Sequence, residues 1–149
     1  MVSPQAFDKM LTELNVTSYQ GVDASSAVDV AWVDMRDYDR ILIQATATEL
    51  TGVGITALRI LANAESDGSG TDVVIVAHAV GTAPDAVGDS LVLECSAEQI
   101  VQEGEDNSLD LRYVSVNMTA ANSNDRILTT YIRKPGRYAF DALTADSIA

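Results

Sequence analysis

The chain has one histidine, His78, and one cysteine, Cys95, and both fall in runs that read as β-strands. Val73 to Val80 is apolar apart from His78, which places that imidazole as a core or interface histidine and not as a catalytic base. In Ser90 to Cys95 the residues Leu91, Leu93 and Cys95 share one side, so the thiol is expected to pack as a small hydrophobe. Carboxylates are abundant, 22 in all, and that many produce pairs by accident. From Glu65 to Asp72, carboxylates and hydroxyls alternate as in oxygen-ligand calcium loops. The loop lacks the full spacing of such a site, and an ordinary hairpin turn is the simpler reading. Gly52 and Gly54 mark another turn without phosphate-loop spacing. No Ser-His-Asp or Cys-His set is suggested, so the expectation is no catalytic residue, no metal ligand and no cofactor. Asp or Glu clustered with His78 in an open pocket would point instead to a small hydrolase or isomerase.

Charge narrows the partners. The net charge of −13, from 22 acids against 9 basic residues, argues against nucleic acid, because phosphate binding needs clustered Lys and Arg. No Lys or Arg lies between Arg59 and Arg112, where acids accumulate; Arg112, Arg126, Arg133, Lys134 and Arg137 follow. An acidic flank and a basic flank suit association with copies of the chain or with a charged lattice; equally, the two sets can pair inside one fold. No run approaches the ~18 apolar residues that span a bilayer, and the first residues lack a signal-peptide pattern, so neither membrane nor export is expected. A lone cysteine excludes a disulfide within the chain.

The elements that would position these side chains are mostly strands. Leu109 to Thr119 and Arg126 to Arg133 are two alternating runs joined by a polar break, the signature of paired antiparallel strands. Apolar residues occupy both faces of the first run in turn, which suits a strand covered on both sides. Before them come strands at Ala27–Met35, Ile41–Thr48, Ile55–Asn63, Val73–Val80, read as central, and Ser90–Cys95. Trp32 is expected as a core or interface anchor. Ser3 and Pro4 open a short amphipathic helix, about Pro4 to Leu14, with Phe7, Met10, Leu11 and Leu14 on one side. Such a helix is marginal alone and needs its own sheet or a neighbour to pack on. Asn15 to Ser26 reads as a loop. Ser96 and Gln99 form a capping box for a helix from about Ala97 to Glu103, with Gly104 as its stop.

About seven strands, a short N-terminal helix, one short internal helix and no room for βαβ crossovers predict a mainly β fold, an antiparallel sandwich or jelly-roll. The chain divides into an N-terminal helix and arm, 1–26, and a β-sandwich, 27–149, one domain overall. At 149 residues such a body can bury a core without disulfide or metal.

The run Leu111-Arg-Tyr-Val-Ser-Val-Asn-Met-Thr119, the polar break, Leu128-Thr-Thr-Tyr-Ile-Arg133 and Arg137-Tyr resembles small proteins of tailed bacteriophages encoded beside the major capsid protein. Trp32-Val-Asp-Met35 with Asp39-Arg-Ile-Leu-Ile-Gln44 looks like the entry strands of that group. The resemblance spans roughly residues 28 to 138. It implies a head decoration, or cement, protein: made in the host cytoplasm, bound to the outside of the assembled capsid, partnered by the major capsid protein and by itself as a homotrimer. Interface candidates are Phe7, Met10, Leu11, Leu14, Trp32, Arg126, Arg133, Lys134 and Arg137. The alternative is a β-sandwich module that binds carbohydrate or another small ligand, for which one Trp, two Phe and five Tyr supply few aromatic platforms.

Overall fold

A computed structural model describes residues 15–20, 28–51, 55–78, 85–120 and 124–135. The expected helix with Phe7, Met10, Leu11 and Leu14, the turn at Gly52 and Gly54, and Arg137 lie outside the described residues.

Among these residues the strands are β1 (Asn15–Gln20), β2 (Val28–Asp29), β3 (Val33–Asp34), β4 (Tyr38–Glu49), β5 (Ile55–Asn63), β6 (Val73–His78), β7 (Ser90–Ser96), β8 (Tyr113–Ala120) and β9 (Arg126–Pro135); helix α1 (Ala97–Asn107) follows β7. One sheet has the order β1-β9-β4-β7, the other β2-β8-β5-β6 with β3 also on β8, and every pairing is antiparallel. With β2 and β3 taken as one interrupted strand, the pairings are nested: β1 with β9, β2/β3 with β8, β4 with β7, β5 with β6. A long hairpin rolled up in this way is a double-sheet jelly-roll.

Side-chain alternation explains the core. Ile41, Ile43, Ala45 and Ala47 of β4 and Ile127, Thr129, Tyr131 and Arg133 of β9 point inward and are buried, facing Leu58, Ile60 and Ala62 of β5 and Val114, Val116 and Met118 of β8. Residues 114 to 118 are all buried. The outer face of β8 is overlain by the segment between β2 and β3: Val30 N–H donates to the Val116 carbonyl at 3.0 Å and Ser115 Oγ donates to the Val30 carbonyl. Among the described residues no helix is long and apolar enough to cross a membrane.

Several elements differ from the sequence reading. β8 and β9 do not pair with each other; the polar break carries the chain from one sheet to the other, and alternation alone cannot tell a hairpin from such a crossing. β6 is an edge strand, not a central one, with Val74 exposed. Its apolar run arises because Val73, Ile75 and Val76 pack on the core. Asn15–Gln20, expected in a loop and assigned to the N-terminal arm, is β1, paired through its backbone with residues 128–133 of β9; a polar edge strand carries little apolar pattern to reveal it. The strand expected over Ala27–Met35 is split into β2 and β3. Helix α1 runs four residues past the expected Glu103. Gly104 is buried inside it, and the stop is Ser108, left-handed at φ 57°, whose N–H caps the Glu105 and Gly104 carbonyls.

Candidate functional site

Three strands of the first sheet, β9, β4 and β7, present an outer face whose middle is almost free of charge. Leu42 lies beside Ile132 and Glu94, Gln44 beside Thr130 and Val92, and Thr46 beside Leu128 and Ser90. Val92 is 50% exposed and most of the others are half-buried. The face satisfies some of its own polar groups: Thr46 Oγ1 and Ser90 Oγ share a hydrogen bond at 2.7 Å, and Gln44 Nε2 donates to Ser90 Oγ at 3.5 Å. Charges gather at its two ends. At one end Arg40 meets Glu94 at 3.7 Å and Lys134 meets Asp39 at 3.6 Å; at the other Glu49 lies in register with Arg126. β1, whose sequence Asn-Val-Thr-Ser-Tyr-Gln contains no charge, extends this sheet beyond β9.

This geometry sorts the basic residues singled out from sequence. Arg126 and Lys134 point outward on β9, eight residues apart, about 26 Å along the strand, so they bracket the face instead of forming one patch. Arg133 points the other way. It is buried, its Nη1 donates to the Asp34 carbonyl at 2.6 Å, and its guanidinium lies 4.3 Å above the Tyr38 ring. Arg112 grips the Asp34 carboxylate with two bonds, Nε at 2.8 Å and Nη2 at 2.5 Å. That grip is the main reason the Asp34 carboxyl sits below its usual range, with the Arg36 N–H adding to it and partial burial opposing it. Arg112 in turn is held above its already high value. The basic flank is therefore largely engaged within the fold. Trp32 belongs to the other half of the sandwich, half-buried against Gly68, where a Cβ would fall 2.3 Å from its Nε1. Sequence reading missed Leu42, Gln44, Thr46, Val92 and Leu128; the available signal was the run of uncharged residues at alternate positions of β4 and β9.

A second feature is a cleft of ≈ 250 Å³ between α1, the corner after β3 and residues 110–112, with Met35, Ile100 and Leu111 as its apolar lining and Val101 at its lip. Its walls are fixed locally. Ser96 Oγ accepts from Gln99 N–H at 3.2 Å and Gln99 Oε1 accepts from Ser96 N–H at 2.9 Å, the expected capping box. Met35 N–H donates to the Arg112 carbonyl at 3.0 Å.

The residues with catalytic or ligating potential lie apart. His78 is half-buried at the end of β6, in register with Leu58, and Cys95 is buried on β7. Burial, then the nearby Glu94 carboxylate, pushes the Cys95 thiol up to about 12, so it stays protonated near neutral pH. In the 65–72 loop, Asp67 accepts from Ser69 N–H at 3.0 Å and Asp72 from Asn63 Nδ2 at 2.6 Å. Among the described residues no three His, Cys, Asp or Glu side chains converge as a metal site would require.

No protein-family model matches the chain, and no curated protein sequence matches it. Among solved structures, it is similar to the SPBc2 prophage-derived protein YomS, at TM-score 0.45 and 8% identity over 80% of this chain and 94% of that one. The VP2 subviral particle of infectious bursal disease virus gives TM-score 0.45 and 8% identity over 86% of this chain, but only 32% of VP2. The Bacillus endospore appendages that form disulfide-linked pili give TM-score 0.42 and 13% identity over 82% of this chain and 87% of that one. Likeness at this level describes the fold alone.

Proposed function

We propose that this chain is a structural virion protein, one that binds the outside of a phage capsid, contacts the major capsid protein and its own copies, and stabilises the shell without catalysing a reaction. The observation that carries the proposal is the outer face of the β1-β9-β4-β7 sheet: an uncharged middle with charged ends, on a chain of net charge −13. That is the anatomy of a protein–protein contact, apolar at the centre and polar at the rim. The resemblance of the β8 and β9 sequences to head decoration proteins points the same way. Many weak contacts would suffice, since copies bridging neighbouring capsomers gain avidity from being held together. The capsid surface is the proposed location, with neither nucleic acid nor membrane as a partner.

The test is to incubate the purified protein with heads that lack it and to count bound copies by mass or by microscopy. Saturable binding, followed by greater resistance of the heads to heat or chelator, is the expected result. No binding to expanded heads at any ionic strength would refute the proposal.

A further inference from the structure

We infer that the outer face of the β1-β9-β4-β7 sheet is a self-association surface on which a second copy of this chain packs face to face about a two-fold axis. Two copies each carrying −13 repel one another over most approaches. They can meet closely only where acids are absent, and the middle of this face meets that condition: Leu42, Gln44, Thr46, Val92, Leu128 and Ile132 surround one carboxylate, Glu94, already paired with Arg40. The bonds among Thr46, Ser90 and Gln44 lower the cost of removing water from the hydroxyls. A face matched to itself gives an isologous, closed pair. The three-fold arrangement implied by the family resemblance would need two different surfaces on each copy.

Size sets the strength. Four strands at ~4.8 Å spacing and six residues at ~3.3 Å make a face of roughly 19 by 20 Å. That footprint, roughly 400 Å² a side, is about half of what a standard stable interface buries per partner. The pairing is therefore weak and concentration-dependent, and it is aided where copies are crowded.

The experiment is sedimentation velocity on the full chain across a concentration series, at low and at high salt, with no capsid present, so that its outcome is independent of head binding. The expected mass rises with concentration from the 15.8 kDa of one chain toward twice that value, and more readily at high salt because the like charges are screened. Val92→Asp, at an exposed position, should shift the midpoint to at least about tenfold higher concentration, since it places one more carboxylate in the contact. Val74→Asp, exposed on the other sheet, should leave the midpoint unchanged. Circular dichroism and melting confirm that both variants fold; if Val92→Asp does not, Thr46→Lys takes its place. A mass fixed at one chain throughout, a limit at three chains, or an unchanged midpoint in the folded face variant would overturn the inference. So would a face variant that still pairs as the wild type does but loses binding to heads, because the face would then meet the shell.

Discussion

The Val116 N–H on β8 donates to the Tyr131 hydroxyl on β9 at 2.9 Å, across the core and between two strands that share no ladder. Tyr131 is fully buried, so its ring fills the space between the sheets while its hydroxyl serves a backbone group on the far side. Replacing it with Phe keeps the ring and removes the acceptor. Tyr131→Phe should lower the unfolding free energy by about 1–3 kcal/mol, the cost of a buried donor left unpaired. Urea titration measures the loss, and hydrogen exchange at the Val116 amide should rise more than at its neighbours. An unchanged midpoint would mean that the amide finds another acceptor.

The same pair of strands shows how far sequence reaches. Alternation located β4, β5, β7, β8 and β9 because each puts apolar residues on one side, and Ser96 with Gln99 placed the start of α1. What alternation cannot encode is the partner of a strand. β8 and β9, adjacent in sequence and alike in pattern, were read as a hairpin, whereas their partners are β5 and β4. The polar β1 left no hydrophobic trace. Charge was legible only as a sum: the basic residues of the C-terminal run stand out in the sequence, yet Arg112 is held by Asp34, 78 positions away, and Arg133 is buried beside Tyr38.

The Asp34–Arg112 pair gives a pH dependence of definite sign. Because the folded-state pKa of Asp34 is lowered, its contribution to stability is fully present above the ordinary value of 3.8 and disappears as pH falls through the lower folded value. Asp34→Asn removes the charge and keeps the backbone carbonyl that receives Arg133. The variant should be less stable than the wild type at pH of about 6, and the gap should close by pH of about 2.5. Both side chains are partly exposed, so the gap should also narrow in high salt. Urea titrations of the two proteins at each pH test this; a gap independent of pH would assign the effect to packing.

Gly104 makes an unusual demand inside a helix. Alanine there would favour the helix by about 1 kcal/mol on propensity alone. Its Cβ, however, would fall 2.6 Å from the Leu109 carbonyl oxygen, a backbone atom held by the Leu109 N–H bond to the Gly104 carbonyl at 2.8 Å. The steric conflict outweighs propensity, and Gly104→Ala should be destabilising by about 1–3 kcal/mol overall, as overpacking usually is. A more stable variant in thermal melting would show that the turn at residues 108–111 shifts freely.

The last prediction concerns salt and the proposed attachment to heads. If the cations of the C-terminal run faced the shell, screening would weaken binding steeply once the Debye length fell from ~10 Å at 0.1 M to ~3 Å at 1 M. Arg112 is held by Asp34, Lys134 lies near Asp39, and Arg133 is buried, so none of them offers an unengaged charge without first giving up a contact inside the fold. The chain's remaining charge is strongly acidic. Attachment should therefore rest on apolar contact, and the number of copies bound per head should change by less than about threefold between 0.05 and 0.5 M salt. Lys134→Ala should behave like the wild type in the same assay, because an exposed ion pair contributes on the order of 0–1 kcal/mol. Bound copies counted by mass across the salt series decide it; release in high salt, with earlier release of Lys134→Ala, would return the contact to the basic residues.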